Sequence, residues 1–279
     1  MPDNTSIHPH SAHLEHLVDT FTFQGRPVNR DEDREVLVLV NHGYVVGYSP
    51  DRLQPVWAAY RVAGMTEGVD FDRPHLYYED KRLEEKIRLG PETFGKHDQI
   101  QYHVGHMVPN EVINRQYGRL AQTETFFMSN MSPQRGSLNT GLWLKLETAI
   151  RNIEDKEGKD HVWVVAGPIF GADPATIDRG QDKHVPIPDA YYCITLDPFR
   201  YPWNRQSNVD VACFIFKQEA PGGDDLDEYE RGPEGLEEIE EATNLTFFPG
   251  WRSDLEGEEV VDSATSARTR HRLLSQLGR

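Results

Sequence analysis

A series of short apolar runs, rich in β-branched and aromatic residues, constrains the fold of this chain more than any other feature. Such runs predict β-strands, and they cover residues 36–40, 44–48, 56–62, 161–170, 190–197 and 209–218. The first two are separated only by Asn41-His42-Gly43, which is a turn signal. Because the first three runs follow one another closely, the sequence predicts an antiparallel meander within a larger sheet.

The strongest helix signal lies between the two groups of predicted strands. Apolar residues recur at helical spacing from Leu138 to Ile153, which predicts an amphipathic helix over residues 138–154. With helices packed against the sheet, the fold class is α+β, a central antiparallel β-sheet flanked by helices. A polar stripe follows the same helix, because residues four apart lie one above the other. Its members are Asn139, Trp143, Glu147 and Arg151.

The length of 279 residues is enough for a single domain with a large core. Residues 1–30 are polar and predict a flexible N-terminal arm. Residues 31–252 hold the predicted strands and helix and are interpreted as a single domain. Residues 253–279 are charged and Ser-rich, and they predict a C-terminal tail or helix.

Composition restricts the partners and the location. The chain has 46 acidic and 29 basic residues, and its net charge of −17 disfavours a general electrostatic nucleic-acid binder but not a nuclease with a few local cations. No apolar run reaches the roughly 18 residues of a membrane helix, so we expect no membrane partner. The N-terminus lacks a secretory signal pattern, which favours the cytoplasm, with export by a signal-independent route as the alternative. Cys193 and Cys213 are expected to be buried free thiols.

The residues between 102 and 151 suit phosphodiester hydrolysis. That reaction needs a base near neutral pH, which histidine provides, and charges that neutralise the phosphate, which a metal ion and an arginine provide. Mg²⁺ accepts few protein oxygens, so an asparagine oxygen with a carboxylate holding metal-bound water is sufficient. Taken singly, His106 in a Gly-Pro turn, Asn139 as a cap and Glu147 with Arg151 as a surface pair all have structural explanations. Their combination favours the chemistry.

Several ordered motifs resemble those of the DNA/RNA non-specific endonuclease family, the ββα-metal or His-Me finger nucleases. They are G-H-M-x-P at 105–109, S-N-M-x-P-Q at 129–134 and L-N-x-G-x-W-x-x-L-E-x-x-x-R at 138–151. Similar motifs follow in order to about residue 250. The resemblance implies that a ββα-metal active-site unit is embedded in the α+β fold.

The resemblance also implies roles for individual residues. His106 corresponds to the general base, and Asn139 to the protein ligand of one Mg²⁺ or Mn²⁺ ion in each active site. Glu147 corresponds to the acid that orders metal-bound water, and Arg151 to a phosphate-contacting arginine.

Two further residues complete the implied set. Asn130 corresponds to an asparagine that supports the site, and Arg73, in the long polar loop 64–100, to an arginine that stabilises the transition state.

One motif departs from the family pattern. The family carries Asp-Arg-Gly-His where this chain has His103-Val104-Gly105-His106. Loss of a cation beside the scissile phosphate would cost a few kcal/mol of transition-state stabilisation. Either another arginine replaces it or the activity is weaker. The candidates for replacement are Arg73, Arg115, Arg119 and Arg135, with Arg115 and Arg135 also expected to bind substrate. His103 has two open roles, as a hydrogen-bonding group or as a metal partner of His106.

The leading functional prediction is a divalent-metal-dependent, sugar-non-specific endonuclease whose substrates are DNA and RNA. One alternative is a catalytically weakened nuclease fold that serves as a nucleic-acid-binding or interaction protein. Another is a toxin or defence effector under the control of a partner. The family resemblance also implies a homodimer as one expected arrangement. Because a nuclease in the cytoplasm must be controlled, we also expect an inhibitor or regulatory partner.

Overall fold

The computed structural model describes residues 5–7, 12–64, 70–157, 161–178, 183–198, 209–232 and 234–251. Its strands, numbered in chain order, are β1 Thr5–Ile7, β2 Val28–Asn29, β3 Val36–Val40, β4 Tyr44–Ser49, β5 Gln54–Ala63, β6 Lys96–His97, β7 Ile100–His106, β8 Met131–Arg135, β9 His161–Ile169, β10 Thr176–Ile177, β11 Val185–Pro186, β12 Ala190–Asp197, β13 Asp210–Lys217 and β14 Leu245–Thr246. Its helices are α1 Ala12–Phe21, α2 Asn110–Glu124, α3 Gly136–Asn139, α4 Leu142–Glu157 and α5 Gly235–Thr243.

A seven-stranded sheet in the order β1-β3-β4-β5-β9-β12-β13 forms the centre of the fold. All neighbouring strands are antiparallel except the edge pair β1 and β3. The predicted meander is confirmed as β3, β4 and β5, and the α+β class with a large antiparallel sheet is also confirmed. No helix among the described ranges is long and apolar enough to cross a membrane.

Helices cover both faces of the sheet, because successive residues of a strand point to opposite sides. Leu37 and Leu39 of β3 face a layer of apolar residues that includes the buried side of α4. Val38 and Val40 face the opposite layer, which includes residues of α1 and α5. Both free cysteines are buried in these layers, as predicted.

The ββα unit consists of β7, β8 and the α3–α4 pair. In the antiparallel β7–β8 pair, His106 lies opposite Met131. Residues 124–129 have strand-like composition but form no regular strand, because they end α2 and form a 3₁₀ turn at Met128–Asn130. The helix predicted over 138–154 is divided at Thr140 and Gly141. A side chain at Gly141 would lie 2.3 Å from the Ser137 carbonyl oxygen, so the break requires glycine.

The prediction of a flexible arm over residues 1–30 is wrong for the part that is described. Helix α1 packs on the sheet, and its Val18 and Phe21 are each 2% exposed. The polar residues around it concealed this helix, although its apolar residues lie on one face. The predicted tail, residues 253–279, lies outside the described residues.

Candidate active site

His106 is the last residue of β7, and the β7–β8 pair fixes its backbone. The preceding Gly105 pairs with Ser132, and a side chain at Gly105 would meet the Gln134 amide oxygen at 2.2 Å. Any larger residue at position 105 would therefore force the buried Gln134 side chain to move. The indole N–H of Trp143, on α4, donates to the His106 carbonyl oxygen at 3.1 Å. This hydrogen bond joins the strand that carries His106 to the helix.

The imidazole of His106 lies in an aromatic pocket and is neutral at physiological pH. Phe126 contacts it edge-on with ring centroids 5.1 Å apart, and Tyr77 packs at 5.9 Å. Burial, followed by repulsion from the Arg73 guanidinium, lowers the pKa of His106 from 6.5 to about 3. Its Nε2 is buried and has no hydrogen-bond partner among the described residues. A neutral imidazole with an unused nitrogen can accept a proton.

Helices α3 and α4 bring Asn139 and Glu147 to the same cleft as His106. Both side chains are partly buried. The Asn139 amide nitrogen lies 3.3 Å from Nδ1 of His103, so this amide is oriented by the strand opposite. His103 thus lies beside Asn139, which favours the hydrogen-bonding role expected for it.

Burial raises the pKa of Glu147 from 4.5 to about 8, while a hydrogen bond from Trp143 and the positive charge of Arg73 act in the opposite direction. The carboxyl group is therefore protonated near pH 7 in the metal-free protein. A cation at the cleft would favour the charged form.

The cleft has two lobes that share Arg73, His106, Leu144 and Glu147. The Asn139 lobe adds Tyr77, His103, Val104 and Asn139 to these residues, among others. The Arg151 lobe adds Asn110, Glu111, Thr148 and Arg151, among others. The side chain of Leu144 is exposed and lies where the lobes meet.

Arg73 is the arginine common to both lobes, and polar residues of α2 hold its loop. Buried Asn114 bonds to both the backbone N–H and the carbonyl oxygen of Phe71. Buried Gln122 donates to the carbonyl oxygens of Phe71 and Asp72. The Arg73 guanidinium lies over the ring of Phe126, with its carbon 5.2 Å from the ring centroid. Arg73 thus brings a positive charge to the cleft, in which Val104 stands where the motif resemblance leads us to expect an arginine.

Arg151 reaches the cleft but is already paired. Its guanidinium bonds to the Glu111 carboxylate at 2.5 Å, across α4 and α2. The carboxylate is more than half exposed, and solvent weakens such a pair, so a substrate phosphate can compete for Arg151.

The other predicted arginines do not line either lobe. Arg135 pairs with Glu219 at 2.9 Å. Arg119 bonds to the carbonyl oxygen of Asp72 and supports the Arg73 loop. Arg115 lies on α2 and is not among the residues that line the cleft. Arg73, rather than Arg115, Arg119 or Arg135, is therefore the candidate to replace the missing cation.

Asn130 is fully buried and acts on the backbone beside His106. Its amide oxygen accepts the Val108 N–H at 3.0 Å, and its amide nitrogen donates to the carbonyl oxygens of Val108 and Thr125. Its own carbonyl oxygen accepts the Met107 N–H. Asn130 holds the two residues that follow His106 and cannot itself touch substrate.

Replacing Asn130 by alanine should lower the free energy of unfolding by roughly 3 kcal/mol, because buried groups on Val108 and Thr125 lose their partners. Urea denaturation measures the change. The control is Thr123→Ala, which removes one exposed hydrogen bond within α2. Equal stability of the two variants would contradict the assigned role of Asn130.

Replacing Glu147 by glutamine should remove a pH dependence of stability in the metal-free protein. Between the unfolded pKa of 4.5 and the folded pKa of about 8, the folded state keeps a proton that the unfolded state has lost. Wild-type stability therefore falls relative to Glu147→Gln as the pH rises through this range. Urea denaturation in a chelator, from pH 5 to pH 9, measures the difference. A constant difference would show that Glu147 is not protonated in the folded state.

Comparison with known proteins identifies the family. The model of the DNA/RNA non-specific endonuclease family matches residues 26–254. The chain therefore belongs to this family, as its motifs indicated, and it is a nuclease, a hydrolase that acts on nucleic acids.

Individual relatives agree with the family assignment. The nuclease of Serratia marcescens is 25% identical over 220 residues, which cover 78% of this chain and 77% of that protein. Human mitochondrial nuclease EXOG is 26% identical over 235 residues, and the match spans 77% of this chain but only 57% of EXOG. A solved structure of an EndoG/EndoGI complex contains a chain with a similar fold, with a TM-score of 0.64, 18% identity and coverage of 86% of this chain and 93% of that chain.

The donor groups of the Asn139 lobe fit one hard divalent cation. Among the described residues, no group of three or more His, Cys, Asp or Glu side chains could hold a metal. The lobe instead offers the Asn139 amide oxygen and the Glu147 carboxyl group. A cation that keeps most of its waters, such as Mg²⁺, needs no more than this.

Several residues of the cleft were not predicted from the sequence. Tyr77, Asn110, Glu111 and Leu144 line it, and Asn114 with Gln122 anchors the Arg73 loop. Asn110 and Gln134 have buried amide atoms without hydrogen-bond partners among the described residues. Leu144 and Gln134 lie in recognised motifs, so motif position is one signal that would have found them, although Gln134 does not itself line the cleft. The others reach the cleft only through tertiary packing.

Proposed function

We propose that this nuclease is a divalent-metal-dependent, sugar-non-specific endonuclease that hydrolyses phosphodiester bonds of DNA and RNA. One observation carries the proposal. A neutral histidine with an unpartnered nitrogen, His106, lines the same cleft as Arg73, Glu147 and Asn139. A base and a cation are thus next to a pair of oxygen donors for a metal.

The cleft suggests how the groups act. His106 removes a proton from water, whose oxygen attacks phosphorus while the bond to the 3′ oxygen breaks, leaving a 5′ phosphate. Arg73 neutralises charge on the phosphate. A Mg²⁺ or Mn²⁺ ion, one in each site and held by Asn139, would supply charge stabilisation to the phosphate and the leaving oxygen.

The low pKa of His106 belongs to the empty cleft. An anionic phosphate placed beside the imidazole would raise that pKa, because a nearby negative charge favours the protonated form. The base thereby becomes stronger when substrate is present. Arg151 would contact a second phosphate after exchanging Glu111 for the substrate.

Digestion of supercoiled plasmid and of a structured RNA tests the proposal. Wild-type protein is incubated with Mg²⁺ or Mn²⁺, and a chelator-treated sample serves as the control. We expect cleavage of both polymers, products with 5′ phosphates, and no cleavage in the chelator. Absence of cleavage with every divalent metal would exclude the proposed activity.

A catalytically weakened binding protein is the second candidate, since Val104 removes a cation and Glu111 occupies Arg151. This candidate predicts nucleic-acid binding without turnover, and filter binding beside the digestion separates the two. We expect Glu111→Gln to tighten nucleic-acid binding in either case, because it releases Arg151.

Regulation is part of the proposal. A partner that blocks the cleft would suit a nuclease retained in the cytoplasm, the location expected from the sequence. The solved EndoG/EndoGI complex concerns the inhibition of EndoG, a protein of similar fold, and this supports an inhibitor as the partner. We also propose a homodimer, which light scattering of the purified chain tests directly.

A further inference from the structure

A cavity on the other side of the sheet is lined by two arginines. It shares no lining residue with the catalytic cleft. Leu245 and Val56, which line it, belong to or pack against the apolar layer that contains α1 and α5, whereas α4 packs in the opposite layer. The two arginines are Arg34 and Arg52.

The guanidinium of Arg52 is placed by an aromatic ring and not by an acceptor. Its central carbon lies 4.7 Å from the centroid of the Phe170 ring. Among the described residues, no hydrogen-bond acceptor or carboxylate contacts this guanidinium. Burial, followed by repulsion from Arg34, lowers the pKa of Arg52, while the Asp51 carboxylate, which does not line the cavity, acts in the opposite direction.

The polar groups of the cavity favour an anion. Asp31 pairs with Arg34 at 3.0 Å and offsets one of the two positive charges, which leaves the lining groups with a positive balance. The hydroxyl of Ser49 accepts the backbone N–H of Arg52 and can donate its own hydrogen to a ligand. Guanidinium groups bind oxyanions through paired N–H donors.

The size of the cavity limits what can enter. Its volume is about 130 Å³, whereas sites for drug-sized molecules occupy roughly 300–1,000 Å³. The space admits a phosphate group but not a nucleoside as well. A phosphate group offers three strong acceptor oxygens to the two guanidinium groups and the Ser49 hydroxyl, whereas a carboxylate offers two.

We propose that the cavity between Arg34 and Arg52 is a binding site for a phosphate group, separate from the catalytic cleft. Free phosphate and the terminal phosphate of a nucleic-acid strand share this chemistry, and in the second case the nucleoside stays outside. The site goes beyond the proposed nuclease function, because it requires neither metal nor cleavage.

Calorimetric titration of the full chain with inorganic phosphate tests the proposal. All proteins carry Arg73→Gln and Arg151→Gln, so that binding in the catalytic cleft contributes little, and a chelator removes metals. Adding Arg52→Gln should weaken phosphate binding at least tenfold. The matched control is Arg61→Gln, which removes an arginine whose guanidinium lies 5.8 Å from the Trp163 ring, outside the cavity. This control should leave the affinity unchanged.

Titrations with other ligands identify the source of the phosphate. Acetate should bind at least tenfold more weakly than phosphate. A 5′-phosphorylated oligonucleotide that loses affinity in Arg52→Gln, beside an unphosphorylated strand that does not, would assign the site to strand ends. If Arg52→Gln weakens the binding of inorganic phosphate but not that of either oligonucleotide, the site is assigned to the free ion.

Arg34→Gln, at a more exposed position, provides a second variant and should also weaken binding. The proposal is overturned if neither arginine variant changes phosphate affinity, or if phosphate does not bind. Failure of plasmid cleavage would leave these measurements unaffected, so the two proposals fail separately.

Discussion

Replacement of His106 by alanine is expected to lower kcat for plasmid cleavage by roughly 10²- to 10⁴-fold, the contribution of a positioned general base. The reason is geometric. His106 is the histidine whose ring lies between Tyr77 and Phe126, with a buried nitrogen that has no other partner among the described residues. KM should change little, because a neutral imidazole contributes little to binding a polyanion. Initial rates at saturating Mg²⁺ measure both constants.

Two controls separate lost chemistry from lost structure. His103→Ala alters the other histidine that lines the described cleft and should reduce the rate much less, since His103 contacts the Asn139 amide and is not the proposed base. His106→Gly leaves a space, and added imidazole should restore part of its activity if the missing group is a base. An unchanged rate in His106→Ala would exclude the proposed mechanism, whatever the activity of the wild type.

The sequence predicted the fold well where its signals are local. The strands β3, β4 and β5 follow from β-branched runs and short turns, and α4 follows from helical periodicity. The sequence signals failed where tertiary contacts determine the local structure. Residues 124–129 have strand-like composition but end a helix, because Phe126 and Thr125 are buried by tertiary packing around His106. Helix α1 was hidden because its polar residues outnumber the few that reach the core.

The same distinction applies to the cleft. His106, Asn139, Glu147 and Arg151 could be predicted because motif spacing and helical periodicity bring them together. Which arginine supplies the positive charge expected beside Val104 could not be predicted from spacing. The answer depends on Asn114 and Gln122 of α2, which hold the loop of Arg73 through backbone hydrogen bonds. Arg135, on a strand of the ββα unit itself, is instead paired with Glu219.

The Glu111–Arg151 pair connects the electrostatics of the cleft to the acidity of the whole chain. A net charge of −17 repels polyanions at long range. Binding must therefore rely on a few arginines at short range, and one of them is paired with Glu111 in the absence of substrate. Such a nuclease should bind nucleic acid weakly, with a small dependence on salt, because it neutralises few phosphates.

Replacement of Asn139 by alanine is expected to weaken metal binding by about 100-fold or more, because loss of a partner outside the ligand shell already costs 10- to 100-fold and Asn139 is proposed as the ligand itself. Mn²⁺ affinity, measured by electron paramagnetic resonance without nucleic acid, tests this independently of catalysis. Asn139→Asp keeps an oxygen at the same place and should retain most of the affinity. The control is Thr140→Ala, an exposed neighbour whose hydroxyl, among the described residues, donates to the Gly136 carbonyl oxygen.

The relative Mn²⁺ affinities of these variants distinguish between two possible ligands of the metal. If the Asn139 oxygen holds the ion, wild type and Asn139→Asp bind Mn²⁺ far more tightly than Asn139→Ala, and Thr140→Ala matches wild type. If the Glu147 carboxylate alone holds it, Asn139→Ala keeps its affinity and Glu147→Gln loses it. The half-buried amide, oriented by His103 at 3.3 Å, favours the first order, because a ligand fixed before the ion arrives loses less entropy on binding. Equal affinity of Asn139→Ala and wild type would remove Asn139 from the metal site.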